Sequence, residues 1–385
     1  MKILITAKNH ASANVLNPVV SELVERGHSV AVYATGNDAE AAGFAGSGIY
    51  RMQPRAEDYG SYVRQHDLLL TGLSGHQTHD AYFVRAANEA GIPSIAVNDQ
   101  DVNYTLRLDD QLDSLPTYLA MMHDNCAKTL ERDLADSKYD AVRAEAISRI
   151  KVVGWTAYDN FAQLRAQSTP ETTAALKQQL GLDPHQKVHT FFTQNIHPDT
   201  EYLKPHIKVN GSEYRALREA MFDYELDVTD TLFTLAKELK IHLVVKPHPG
   251  EAFETNFTQN FTTKHGFTYL PAKSCDSKQL ILASDAVFAT RSATLNDGCL
   301  LDRNTAAIVP VRSEIDKNAY DASIYPAVSL DAIPYANRWE NIKSIVWMLT
   351  ADNPELQAGL KERRTRFSVD GKASKRLADL VETFK

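Results

Sequence analysis

Short, continuous apolar runs alternate along this chain with longer stretches in which apolar residues recur every three or four positions. Residues 2–7 are a run of the first kind and predict a buried strand. Residues 14–26 are of the second kind, with Val15, Leu16, Val19, Val20, Leu23 and Val24 spaced for a helix with one buried face. Gly27 ends that helix and 28–34 start another strand, which makes a βαβ unit. The alternation continues with strands at 67–71, 94–97, 117–121 and 151–153, and helices leading up to Ala90 and over 126–134 and 141–150. It fades near Ser168-Thr169-Pro170, and the polar stretch to Gln186 marks a boundary between halves. Strands then return at 188–193, 241–245, 267–270, 285–289 and 305–309. Helices are predicted over 212–239, 277–283, 338–349, 354–364 and 372–384. The pattern predicts an α/β protein of two Rossmann-like domains with parallel sheets, 1–168 and 169–385.

In such sheets ligands gather at the carboxyl ends of the strands, so the polar residues that follow each run carry the candidate chemistry. The run 241–245 stops at Lys246-Pro247-His248-Pro249-Gly250-Glu251. That turn puts Lys246, His248 and Glu251 just past a strand end, with a lysine point charge and a directed imidazole donor suited to a diphosphate. A rigid, solvated surface turn is the competing reading. After 285–289, Thr290-Arg291-Ser292-Ala293-Thr294 starts a helix with small hydroxylated residues and a guanidinium able to converge on an anion. Ser292 as a plain helix cap is the alternative there. In the first half the loop 8–13, with Asn9, His10 and Ser12, shares a rim with His76, His79, Asp99 and Asp101. Histidine titrates near neutrality unaided, so one of these groups is a candidate acid or base. The first loop lacks the glycine fingerprint of a dinucleotide site, which argues against NAD. The long connection 194–211, with His197 and His206, is a candidate functional loop.

With 385 residues the chain is too long for one ordinary core and suits two. A net charge of −8 gives no basic face for duplex nucleic acid. The amino terminus turns polar too soon for a secretory segment, and no apolar run approaches the roughly 18 residues of a membrane span, so a cytoplasmic protein is expected. Cys126, Cys275 and Cys299 are scattered, predicting buried reduced thiols rather than disulfides or a zinc site. Asp109-Asp110 with Asp113 is the nearest approach to a metal motif, and a solvated acidic turn explains it better.

Several of these residues, in order, resemble one family. Val153-Gly154-Trp155 with Tyr158-Asp159 at the junction, Lys246-Pro247-His248-Pro249, Ala283-Ser284-Asp285, Ser292-Ala293-Thr294 and Asn296-Asp297 are similar to motifs of the GT-B glycosyltransferases. The closest pattern is the CDP-glycerol glycerophosphotransferase, capsule-polysaccharide and polysialyltransferase-like branch, with UDP-N-acetylglucosamine 2-epimerases as relatives. The resemblance implies sheets facing an interdomain cleft and a nucleotide-activated donor, such as a UDP- or CDP-linked sugar, held by the second domain. It allows the last helix to pack back on the first domain. It implies a phosphate contact for His248, diphosphate contacts for Ser292 and Thr294, and a ribose contact for Asp297. A base would come from the first domain, with His10 and Asp99 as candidates on position, and the chemistry would need no metal or other cofactor. The implied reaction transfers a sugar or polyol phosphate to an acceptor hydroxyl on a glycan or lipid-linked partner, with peripheral membrane attachment left open. Thr71-Gly72-Leu73 and Ala96-Val97-Asn98-Asp99 replace the epimerases' Gly-Asp-Thr and Glu-Ala-Gly-Leu-Arg stretches, which sets epimerisation or hydrolysis of a nucleotide sugar behind transfer. A non-catalytic nucleotide-sugar-binding protein is the remaining alternative.

Overall fold

The computed structural model describes residues 1–34, 49–50, 58–75, 77–101, 103–194, 211–248, 257–311 and 325–385. They cluster into two compact units, Met1–Gln163 with Val369–Lys385, and Leu164–Ser368.

The first unit is built on a seven-stranded sheet in the order β3-β2-β1-β4-β5-β6-β7. The strands are β1 Lys2–Ala7, β2 Ser29–Ala34, β3 Ile49–Tyr50, β4 Leu68–Gly72, β5 Ser94–Val97, β6 Tyr118–Met121 and β7 Ile150–Val152. Every pairing is parallel. Strands covered on both faces need apolar residues at successive positions rather than at every second one. β1 and β4 show the division: Ile3, Ile5, Leu68 and Leu70 enter a core with Leu16, Val19 and Leu23 of the helix His10–Glu25, while Leu4 and Leu69 point the other way against Phe83 and Val84 of the helix His79–Ala90. The helix His10–Glu25 starts four residues before the periodicity does. Asn9 caps it, its side-chain oxygen accepting the Ser12 N–H at 2.8 Å, so His10 and Ser12 sit in a first helical turn and not in a loop.

The last helix of the chain, Ala373–Glu382, belongs to this unit. Leu377, Ala378 and Val381 join the core of β1 and its helix. The Asp159 carboxylate accepts the Ala373 and Ser374 N–H groups at 2.9 and 2.7 Å, and Arg376 Nε donates to the Val153 carbonyl at 2.6 Å. Gly154 takes φ +98°, and a Cβ there would fall 2.6 Å from the Arg376 guanidinium.

The second unit has a six-stranded parallel sheet in the order β10-β9-β8-β11-β12-β13. Its strands are β8 His189–Phe192, β9 Leu243–Lys246, β10 Thr268–Tyr269, β11 Ala286–Ala289, β12 Asn304–Ile308 and β13 Tyr335–Ala336. The helix Gly211–Glu238 buries Tyr224, Val228, Leu232 and Phe233, and Phe233 packs its ring against Phe261 and Phe267. A helix, Pro170–Gln179, occupies part of the polar stretch after Ser168. Its start is written locally: Thr169 and Thr172 form a reciprocal capping box and Pro170 takes the first turn. Among the described residues no helix is long and apolar enough to cross a membrane.

Candidate functional site

In both sheets the chain builds outward from a central strand on one side and then crosses to the other, and the strand ends at that reversal are where ligands bind in open α/β sheets. In the second unit the reversal lies between β8 and β11, with β9 on the far side of β8. Neighbouring strands are about 4.8 Å apart, so the ends of β9 and β11 flank the end of β8 across about 10 Å.

Lys246 closes β9 but does not stand out from the edge. Its side chain is 2% exposed, and its Nζ donates to the Ala272 carbonyl at 2.5 Å and more weakly to Pro271 at 3.4 Å. Burial lowers its pKa. The expected point charge is thus spent on tying the end of β9 to the segment after β10. Two residues on, His248 is half-buried and burial lowers its pKa as well, so near pH 7 it is a neutral ring with an N–H to donate. Glu251, His76 and the connection 195–210 lie outside the described residues.

Past β11 the Thr290 hydroxyl is buried and donates to both carboxylate oxygens of Glu225, at 2.9 and 3.1 Å, which fixes the strand end against the long helix. Arg291 is exposed and lies beside the Tyr325 hydroxyl, whose pKa burial raises and Arg291 opposes. Ser292 Oγ accepts from the Thr294 N–H at 3.3 Å and from the Thr294 hydroxyl at 2.9 Å. Ser292 is therefore an acceptor within the turn, two residues before the helix Thr294–Leu300, and its own hydroxyl proton has no acceptor among the described residues. Asp297, in that helix, has its carboxyl pushed up to about 7 by burial, with Lys278 opposing and Asp276 adding to the rise. A carboxyl that is half protonated at neutral pH can act as acceptor or as donor. Among the described residues, the second-unit edge thus presents the Arg291 guanidinium, the neutral His248 imidazole and the Ser292 and Thr294 hydroxyls.

In the first unit the reversal lies between β1 and β4. Here the structure joins Ser12 to residues that were not among the sequence candidates, Asp80 above all. Asp80, in the first turn of the helix His79–Ala90, is buried. Its Oδ2 accepts the Ser74 hydroxyl at 2.6 Å and its Oδ1 faces the Thr6 hydroxyl at 3.3 Å. Ser74 Oγ continues to Ser12 Oγ at 2.7 Å, and Thr6 Oγ1 to Thr71 Oγ1 at 2.6 Å. Burial pushes the Asp80 carboxyl up to about 7; the three nearest hydroxyls pull it down and Asp99 adds to the rise. Gly72 is what lets these parts close up, since a Cβ there would fall 2.4 Å from Ser12 Oγ. A small pocket lies over the cluster, lined in part by Leu73, Ser74, Asp80 and Arg107.

Asp99 is next to this cluster but its charge is taken. Arg107 Nη1 lies 2.5 Å from Asp99 Oδ1 and also donates to the Leu73 carbonyl, and the Asp99 side chain is 4% exposed. A paired carboxylate of this kind orients an arginine more readily than it accepts a proton. His10 is the first residue of its helix, and its side chain, like Glu251, lies outside the described part of the structure. His79 of the same rim is engaged by the Tyr59 hydroxyl at Nδ1, and burial lowers its pKa. The signal for Asp80 was present only as an acidic residue in a helical first turn, the most ordinary place for one.

No protein-family model matches the chain, and no curated protein matches it in sequence. Solved structures do. A UDP-GlcNAc 2-epimerase from Neisseria meningitidis, bound to UDP-GlcNAc, is similar over 100% of both chains with a TM-score of 0.64 and 12% identity. The wall teichoic acid polymerase TagF, in an H444N variant, is similar over 99% of this chain and 88% of that one, at TM-score 0.58 and 13% identity. MurG from Acinetobacter baumannii is similar over 100% of both, at TM-score 0.56 and 11% identity. At such identities the likeness speaks for architecture alone, and the architecture is the GT-B fold.

Proposed function

We infer that the protein is a GT-B glycosyltransferase that moves a sugar or polyol phosphate from a nucleotide diphosphate donor to an acceptor hydroxyl. The observation that carries this reading is the edge of the second sheet at its reversal point, where Arg291, Ser292 and Thr294 follow β11 and His248 follows β9. A nucleoside diphosphate is of a size to bridge the roughly 10 Å between two strand ends one strand apart. In the reaction the acceptor oxygen forms the new bond as the bond to the leaving oxygen breaks, and that electron pair stays on the nucleoside diphosphate when a sugar is moved or on a nucleoside monophosphate when a polyol phosphate is moved. The growing negative charge meets the Arg291 guanidinium, the His248 N–H and the Ser292 hydroxyl, and Asp297 holds a ribose hydroxyl. Lys246 contributes by fixing the turn that carries His248. The acceptor's proton passes to a first-unit group; Asp80 joins His10 as a candidate, while Asp99 serves to position Arg107. The reading needs no metal for departure of the nucleotide.

The test is nucleotide release over a panel of UDP-, CDP- and GDP-linked donors with hydroxyl acceptors. Turnover is expected with one base, and Arg291→Ala or Ser292→Ala should each lower kcat about 100- to 1000-fold, the usual consequence of losing one donor to a developing oxyanion. No turnover of any donor, together with no nucleotide-dependent rise in Tm, would end this reading. The competing reading is rearrangement or hydrolysis of a nucleotide sugar without an acceptor. It predicts product from donor alone, which the same assay separates by leaving the acceptor out.

A further inference from the structure

Unit 1 holds a second knot of titratable groups that the proposed reaction leaves idle. Asp101 lies beyond the end of β5, His123 beyond the end of β6, and Cys126 opens the helix Cys126–Asp133. A carboxylate oxygen, a ring nitrogen and the thiol sulfur of these three lie within 4.8 Å of one another. His123 Nε2 is 3.5 Å from Asp101 Oδ2, close to the roughly 3.3 Å that separates two ligands bound tetrahedrally at about 2.0 Å. His123 Nδ1 is buried without a hydrogen-bond partner among the described residues. The other ring nitrogen, Nε2, faces the Asp101 carboxylate, and the ring lies against Trp155 with centroids 5.9 Å apart, which holds the imidazole toward the cluster.

The carboxylate is oriented from behind, as metal-ligating carboxylates are. Tyr104 Oη donates to Asp101 Oδ1 at 2.9 Å and Thr129 Oγ1 donates to Oδ2 at 2.9 Å. Tyr104 is fully buried, and its hydroxyl in turn accepts from Asn98 Nδ2 at 2.7 Å. The side chains of His123 and Asp101 keep 21% and 11% exposure, which leaves an entry path and room for a solvent ligand.

We propose that Asp101, His123 and Cys126 form a binding site for a divalent transition metal, with zinc the best match and solvent in a fourth position. A thiolate, an imidazole and a carboxylate are a ligand set of mixed softness that suits zinc or cobalt and disfavours magnesium or calcium. On binding, the metal replaces the thiol proton, which leaves to solvent, and takes one lone pair from the imidazole and one from the carboxylate. The bound ion clamps the segments that follow β5 and β6 to the helix Cys126–Asp133.

The experiment titrates cobalt into the full chain after treatment with a chelator, followed by competition with zinc. One cobalt per chain is expected, with a near-ultraviolet thiolate-to-cobalt charge-transfer band and the intense visible bands of four-coordinate cobalt, both bleached by zinc. Cys126→Ser should abolish the charge-transfer band and Cys275→Ser should keep it. His123→Ala should weaken cobalt binding by more than about 100-fold, and Thr129→Val, which removes only an orienting hydroxyl, by about 10-fold. Zinc should raise the Tm of the native chain and leave that of His123→Ala unmoved. The proposal is overturned if the native chain gives no charge-transfer band, a result that needs no variant to fold, or if Cys126→Ser and His123→Ala bind cobalt as tightly as the native chain does.

Discussion

Asp80 keeps its proton near neutrality because the fold surrounds it with aliphatic side chains and hydroxyls in place of bulk water. Its folded pKa of about 7 stands above the ordinary value of 3.8, so the folded state holds this proton more tightly than the unfolded chain does. The stability that the residue contributes is therefore fully present below about pH 4, falls as pH rises to about 7, and is level above that. Asp80→Asn keeps the shape and much of the hydrogen bonding without the charge. It should match the native chain at pH 4 and exceed it at pH 8 by up to about 4 kcal/mol, read from denaturant melts at the two pH values. An unchanged difference between the two pH values would show that Asp80 is ionised throughout. Thr290 is the reverse case, a hydroxyl that serves a buried carboxylate. Thr290→Val keeps the volume and removes the donor to Glu225, which should cost about 1–3 kcal/mol of stability in a urea melt. A loss within error of zero would mean that Glu225 takes its proton or its partners elsewhere.

At the scale of elements, glycine sets how near a strand end can come to a helix. A Cβ on Gly72 would fall 2.4 and 2.5 Å from the Ser12 hydroxyl oxygen and Cβ, at the point where β4 meets the helix His10–Glu25. Gly72→Ala must push that helix away and open the Ser12–Ser74–Asp80 chain, and overpacking of this kind costs about 1–3 kcal/mol. The melt should shift by that amount, and the Asp80 pH dependence should shrink as water reaches the carboxyl. Retention of the full pH dependence would place the opening elsewhere. The same elements show what the sequence made legible. Runs such as Leu68-Leu69-Leu70 and Leu243-Val244-Val245 are apolar at successive positions because both sheet faces are covered, so the longer strands, their parallel class and the two-sheet plan could be read directly, whereas the two-residue strands Ile49–Tyr50 and Tyr335–Ala336 are too short to leave such a run. The sites were harder, because their partners are distant in sequence. Thr6 and Asp80 are 74 positions apart, and the carbonyl that occupies Lys246 is 26 positions on. Nothing local told Lys246 from an exposed lysine or Asp80 from a helix-start acid. His248, Arg291, Ser292, Thr294 and Asp297 were read as strand-end chemistry, and their positions follow from β9 and β11.

For the whole molecule, the order of the chain and the division into units disagree in an informative way. The second unit, Leu164–Ser368, is contiguous, whereas the first needs Val369–Lys385 to complete it. Leu377 and Val381 are fully buried in the first core, and burying an aliphatic side chain of this size is worth roughly 1.5–3 kcal/mol. Deleting 369–385 also strips the Asp159 carboxylate of two N–H donors and the Val153 carbonyl of the Arg376 guanidinium. Together these losses should destabilise the first unit by about 5 kcal/mol and lower its melting temperature by roughly 10–20 °C, since 1 kcal/mol moves a unit of this size by about 2–4 °C. The second unit keeps every strand of its sheet in that truncation. A fragment of 164–368 should therefore melt cooperatively by itself, and calorimetry of 1–368 should show one transition moved down and one in place. If the truncated chain instead loses both transitions together, the second unit depends on the first for its stability and the two fold as one cooperative body.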